Sequence, residues 1–176
     1  MRGPEGANAK VPLGQLPILE LPNGEVICQS HSLLRWAGKH SDLYPSNFDQ
    51  AAVCDELLDS LGEIRGKMPE SKDPVQKKAL REEYVKNDLK KYLNYLSRRI
   101  EHYGGPYLLG KHLTIPDLVL YRFVQGIYEN KYDHVTKDHI LAFPLIAKHH
   151  DACEANEIVK RENEAEQKAQ QQQKKH

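Results

Sequence analysis

Residues 13–34, LGQLPILELPNGEVICQSHSLL, constrain the fold more than any other part of the chain. "LPILEL" and "EVICQ" are short apolar runs rich in β-formers, and "PNG" between them is a turn signal, so the pair predicts a β-hairpin. Ser30 then opens "SHSLLRWAGKH", in which Leu33, Leu34 and Ala37 recur at helical spacing and Ser30 is placed to act as N-cap. A lone hairpin is marginal in water, so this strand–strand–helix unit must pack against something else in order to persist.

The remainder of the chain is helical in character. Residues 40–49, HSDLYPSNFD, collect Ser, Asp, Pro and Asn and read as a linker. Beyond it, Val53, Leu57, Leu61, Ile64 and Met68 form one apolar stripe. "SKDPVQKKAL" restarts a helix, with Ser71 or Asp73 available to cap it and Pro74 tolerated in its first turn. Leu80, Tyr84, Leu89, Tyr92, Leu93, Leu96 and Ile100 then carry a long amphipathic helix as far as Gly104-Gly105-Pro106.

"LTIPDLVLYRFVQGIY" is apolar on almost every side, which predicts a buried helix, opened by a capping box of Thr114 and Asp117. Further helices are expected near Phe143-Pro144 and near Asn156, before a charged, Gln-rich tail that reads as frayed helix or disorder. The resulting fold class is α+β: a small hairpin-plus-helix unit over residues 1–46, an all-helical domain over 47–160, and a low-complexity tail over 161–176.

Composition narrows the partners. Twenty-five basic residues balance 25 acidic ones, leaving no single-sign field to draw the chain to nucleic acid or anionic lipid. No segment approaches the roughly 20 apolar residues that cross a bilayer. Cys28, Cys54 and Cys153 form no CxxC pair, which fits a reducing, cytoplasmic setting. Cys28 and Cys54 read as small buried hydrophobes.

Four stretches, taken in order, resemble a soluble glutathione S-transferase of the sigma-like kind. They are "GQLPILEL", "QSHSLLRW", "AAVCDELLDSLGEIR" and "YLLGKHLTIPDLVLY", and the likeness covers roughly residues 13–155. It implies a partial thioredoxin-like unit, its first β-α-β absent, ahead of that family's all-α C-terminal domain. It also implies glutathione as co-substrate or ligand, small electrophiles as the other substrate, a homodimer, and no metal. Under it, Pro17 is a cis-proline that lets the Leu16 backbone pair with the cysteinyl part of glutathione. Gln29 and Ser30 hold the γ-glutamyl carboxylate, Gln15 contacts the peptide backbone, and Lys10 is a candidate partner of the glycyl carboxylate. Without the family, Ser30 is an ordinary N-cap that doubles as an anion site, and Pro17 is a proline at a strand start.

Asp55, Asp59 and Glu63 recur at four-residue intervals, which reads as a solvated acidic stripe. The resemblance makes Glu63, where the family more often has Asp, a candidate to reach the glutathione amino group across a dimer interface. Tyr84 and residues near Met68 are candidates to line the electrophile site. His149 and His150 beside Asp151 suggest a metal site only faintly, because adjacent residues on a helix point about 100° apart, and the stretch reads as exposed polar surface.

The family activates the thiol of glutathione with a hydrogen bond from a Tyr, Ser or Cys at the end of its first strand. That strand and the helix and strand after it need several tens of residues. Fourteen residues stand before Gln15, and no Ser, Thr or Tyr precedes Ser30. No catalytic residue is therefore assigned, and the chain reads as an N-terminally truncated member. Three readings stay open: a piece of a conjugating enzyme, a non-catalytic glutathione-binding or dimerising module, or a helical interaction module.

Overall fold

The structure, a computed structural model, describes residues 11–173. A tight turn over Pro12–Gly14 leads into strands β1 (Ile18–Glu20) and β2 (Val26–Cys28), which pair antiparallel with Ile18 opposite Cys28 and Glu20 opposite Val26. The turn between them is closed by Leu21 N–H donating to Glu25 C=O and by Asn23 Oδ1 accepting from Glu25 N–H, with Gly24 at φ +83°. Asn and Gly occupy the positions that need local side-chain bonding and positive φ.

Eight helices follow among the described residues: α1 (Ser30–Lys39), α2 (Phe48–Gly66), α3 (Pro74–Tyr84), α4 (Lys90–Tyr103), α5 (Ile115–Tyr128), α6 (Lys137–Leu141), α7 (Pro144–Ala155) and α8 (Glu157–Gln173). Their ends follow sequence chemistry. Asn47 caps α2 by accepting from the Asp49 and Gln50 N–H groups, and Asp73 caps α3 through Val75 and Gln76. Gly104 ends α4 in the left-handed region at φ 63°. No described helix is long and apolar enough to cross a membrane.

The expected long helix from Leu80 to Ile100 is continuous but not uniform. Val85–Leu89 forms a π-helical turn between α3 and α4. Tyr84 and Leu89 are five residues apart, and the wider turn keeps both buried on one side.

The main core is built by Leu57, Leu61 and Ile64 of α2, Leu93, Leu96 and Ile100 of α4, and Leu120, Val124 and Ile127 of α5, together with Ile140 and Ile146. As expected, α5 is buried along most of its length. Its capping box is present and reaches further than a box alone. Asp117 accepts from Thr114 N–H (2.8 Å), Thr114 Oγ1–H (2.6 Å) and Leu108 N–H (2.7 Å), and His149 Nε2 lies 3.0 Å from its Oδ1.

One expectation about the C-terminal region is corrected. His149 and His150 are buried, at 0% and 2% exposure, because α7 packs that face onto α5. The Gln-rich tail, read as frayed helix or disorder, is helical as far as Gln173. It is fastened to α5 by Asn163 Nδ2–H donating to Tyr121 Oη and by an Arg122–Glu166 ion pair at 2.8 Å.

Candidate functional site

The end of β2 and the start of α1 set the geometry of the site. Gln29 takes φ 74° and ψ 112°, and α1 begins at Ser30. The N-cap is therefore Gln29, not Ser30, and no side chain caps the helix. The correction has a simple cause: once Gln29 makes the sharp turn out of β2, Ser30 is already helical. Its hydroxyl is left outside the capping geometry, beside first-turn N–H groups that have no intrahelical acceptor.

A shallow pocket of about 50 Å³ opens at this point, lined by Leu13, Gln15, Leu16, Pro17, Cys28, Gln29 and Ser30. Five of the residues expected to bind glutathione thus meet in one place, drawn from the segment before β1 and from the β2–α1 junction. The Leu16–Pro17 peptide bond is cis. Among the described residues, neither the N–H nor the C=O of Leu16 has a hydrogen-bond partner, and the Leu16 side chain is 77% exposed. Among the described residues, no acidic side chain lines the pocket. It offers an anion a helix N-terminus, a hydroxyl and a carboxamide, next to an extended backbone with free donors and acceptors.

Two lining residues were not singled out for the site from sequence. Leu13 stands at φ 58° in the turn before Gln15, and its side chain is 72% exposed. Cys28, expected to be buried, is half-buried and faces the pocket. The Gly after Leu13 was the available signal, since Leu-Gly ahead of Gln-Leu-Pro marks a tight turn.

Glu63 lies elsewhere. It accepts a hydrogen bond from Tyr92 Oη, and Lys67 Nζ is 3.7 Å away. These partners hold its carboxyl below the usual range, Tyr92 first and Lys67 second. The other two acids of the stripe are also paired rather than merely solvated. Arg35 of α1 donates to Asp55 at 2.6 Å and to Asp59 at 2.7 Å, and Tyr44 Oη donates to Asp55 at 3.0 Å. Burial, with Asp55 beside it, pushes the Tyr44 phenol up to about 12. Lys10 lies outside the described residues.

Tyr84 does not line a site. It is 3% exposed within the main core and donates its hydroxyl to Ile64 C=O at 2.7 Å. Met68 is half-buried against the main core. Cys54 is fully buried, as expected.

His31, one residue past Ser30, carries the pocket's connection to the helical part. It packs on Gly62 of α2, where a Cβ would lie only 2.8 Å from His31 Cε1. Burial and then the nearby Arg35 hold the His31 imidazolium below its ordinary pKa, with Asp59 opposing. Both effects disfavour a positive charge beside Ser30.

Comparison with known proteins gives a consistent result. A family model described as "Glutathione S-transferase, C-terminal domain" matches residues 63–173. The "Glutathione S-transferase 1" of Ascaris suum is 29% identical over 118 residues, 63% of this chain and 56% of that protein. The chain thus spans little more than half the length of this curated relative. Among solved structures, prostaglandin synthase D of Nilaparvata lugens aligns with a TM-score of 0.73 at 25% identity, over 87% of this chain and 75% of that one. A glutathione transferase homolog from Sulfitobacter with bound glutathione aligns with a TM-score of 0.67 at 16% identity, over 90% and 77% of the two chains.

Proposed function

We propose that this chain, which belongs to the glutathione S-transferase family, binds glutathione in the pocket between the segment before β1 and the start of α1. Its fold is that of the family, with a partial thioredoxin-like unit followed by a helical C-terminal domain. Under this proposal the glutathione-binding unit covers residues 1–46, the helical domain 47–160 and the tail 161–176. The observation that carries the reading is the convergence of Gln15, Leu16, Pro17, Gln29 and Ser30 on one lining.

Each group has a role that its chemistry allows. The γ-glutamyl carboxylate sits against the Ser30 hydroxyl and the first-turn N–H groups of α1, with the Gln29 amide beside it. The cysteinyl unit lies antiparallel to Leu16, exchanging hydrogen bonds with its N–H and C=O as an added strand would. Gln15 steadies the peptide further along. The pocket has room for the carboxylate end, and the remainder of the tripeptide runs over the exposed Leu13 and Leu16 side chains. Lys10 is proposed as partner of the glycyl carboxylate. Glu63 is proposed to serve the glutathione of a second subunit, which requires it to share or release Tyr92 and Lys67.

The reaction proposed is the one the family's name describes. The glutathione thiolate attacks an electrophilic carbon, a C–S bond forms, and the leaving group departs with its electron pair. A second reading, binding without turnover, is favoured by the lining itself. Among the described residues it carries one hydroxyl, Ser30, engaged by the carboxylate, and one thiol, Cys28. Glutathione titration followed by calorimetry and by the fluorescence of Trp36, the only tryptophan, tests binding. No heat and no spectral change up to millimolar glutathione overturns the site. Saturable binding without conjugation of an aromatic electrophile selects the second reading.

A further inference from the structure

The C-terminal half of α7 carries a side-chain arrangement remote from the Ser30 pocket. His150 is 2% exposed, its ring stacked 5.0 Å from Tyr121 and tilted against Tyr128 at 4.7 Å. Its Nε2 lies 2.8 Å from Gln125 Oε1, and the Gln125 amide is itself oriented by donating to Glu129 Oε1 at 2.9 Å. An amide oxygen only accepts, so Nε2 bears the proton and Nδ1 presents a lone pair.

That Nδ1 is buried and has no hydrogen-bond partner among the described residues. Asp151 Oδ1 is 3.6 Å from it, and one ligand atom from each of His150, Asp151 and Glu154 lies within 4.8 Å of the other two. A lone pair aimed at two carboxylates is repulsive unless positive charge stands among them. The helix makes the same demand. This is the negative end of the α7 dipole, and its last turn has no basic residue.

We propose that His150, Asp151 and Glu154 form a binding site for a divalent transition-metal ion such as Zn²⁺, held by His150 Nδ1 and one oxygen of each carboxylate. The mixed nitrogen and oxygen donor set suits Zn²⁺, whereas Mg²⁺ and Ca²⁺ favour oxygen ligands alone. Metal–ligand bonds of about 2.0–2.2 Å place donors roughly 3–4 Å apart, close to the spacing already present. His150 and Glu154 are one helical turn apart, and the exposed carboxylates can close onto the ion without backbone movement. Gln125 acts behind the site, fixing the tautomer that offers Nδ1.

The test is a calorimetric titration of Zn²⁺ into the full chain and into Asp151→Asn/Glu154→Gln, at neutral pH in a non-chelating buffer without glutathione. Both substituted side chains are exposed, so the variant keeps its fold, which circular dichroism checks. The wild type is expected to bind one equivalent of Zn²⁺ that the variant lacks, with the His150 Nδ1 resonance moving in ¹⁵N NMR. Gln125→Ala is expected to weaken that equivalent by about tenfold or more. Identical titrations of wild type and double variant, or a His150 Nδ1 unmoved by Zn²⁺, would overturn the proposal.

Discussion

Arg35 of α1 donates from Nε to Asp55 Oδ1 of α2 at 2.6 Å, tying the helix that opens at the pocket to the first helix of the bundle. The same guanidinium reaches Asp59 from a second nitrogen at 2.7 Å, so one planar cation bridges two acids on successive turns. Arg35→Ala is expected to cost about 1–2 kcal/mol, more than the roughly 0–1 kcal/mol of exposed pairs, because the side chain is held from two sides. Urea unfolding reads the loss, and hydrogen exchange should show it concentrated in α1. Uniform exchange rates with unchanged stability would contradict this.

Ser30→Ala separates the binding role of the hydroxyl from a structural one. Because Ser30 makes no capping bond, the melting temperature is expected to stay where it is. Glutathione affinity is expected to fall about tenfold, near 1.4 kcal/mol. A loss of about 1 kcal/mol in stability, as for a true N-cap, would show that the hydroxyl serves the helix instead.

Asp117→Ala strands several buried donors at once: two backbone N–H groups, the Thr114 hydroxyl and His149. A loss of about 3–5 kcal/mol is expected, read as a large drop in thermal midpoint. Asp117→Asn keeps one acceptor oxygen and should fall between the two. Equal stability of wild type and Asp117→Ala would mean that the network contributes nothing.

The Glu63–Tyr92 contact predicts an acid-side effect. Glu63 has its folded-state pKa lowered, by Tyr92 first and then by Lys67. Its contribution is therefore present above the unfolded-state carboxylate pKa and disappears as pH falls through the lower folded value. Tyr92→Phe should return the Glu63 carboxyl toward its ordinary titration, followed by ¹³C NMR, and flatten this part of the acid limb. An unmoved Glu63 titration in Tyr92→Phe would assign the shift elsewhere.

Gly62→Ala pits helix propensity against sterics. Alanine gains up to about 1 kcal/mol in a helix interior, while forcing His31 aside costs about 1–3 kcal/mol. Net destabilisation is expected, together with weaker glutathione binding, since His31 follows Ser30. Calorimetry on the purified variant measures both, and a more stable variant with unchanged binding would reject the close packing.

The hairpin, the order of the helices and the α5 capping box could be read from the sequence because each rests on local chemistry: Asn-Gly at a turn, Asp or Asn before a helix, and apolar residues at fixed spacing. The π-turn left a trace that the stripe concealed, the five-residue step from Tyr84 to Leu89. The positions of His149 and His150 could not be read in this way. Two adjacent histidines followed by an aspartate look like surface, and only the packing of α7 on α5 supplies Asp117 and Gln125 to receive them. Gln29 misled for a related reason. Ser is the better capping residue, but the positive φ at Gln29 moves the helix start by one position. The lining of the pocket was legible where side-chain type carries the chemistry, as at Gln15, Gln29 and Ser30. Leu13 and Cys28 enter through backbone shape, which residue type does not announce.

Ser30 and His31 are consecutive, yet one borders the pocket and the next is wedged against Gly62 of α2. No spacer separates the pocket lining from the joint that holds α1 against α2. The proposed occupancy of the pocket and the seating of α1 on the bundle both bear on the first turn of one helix.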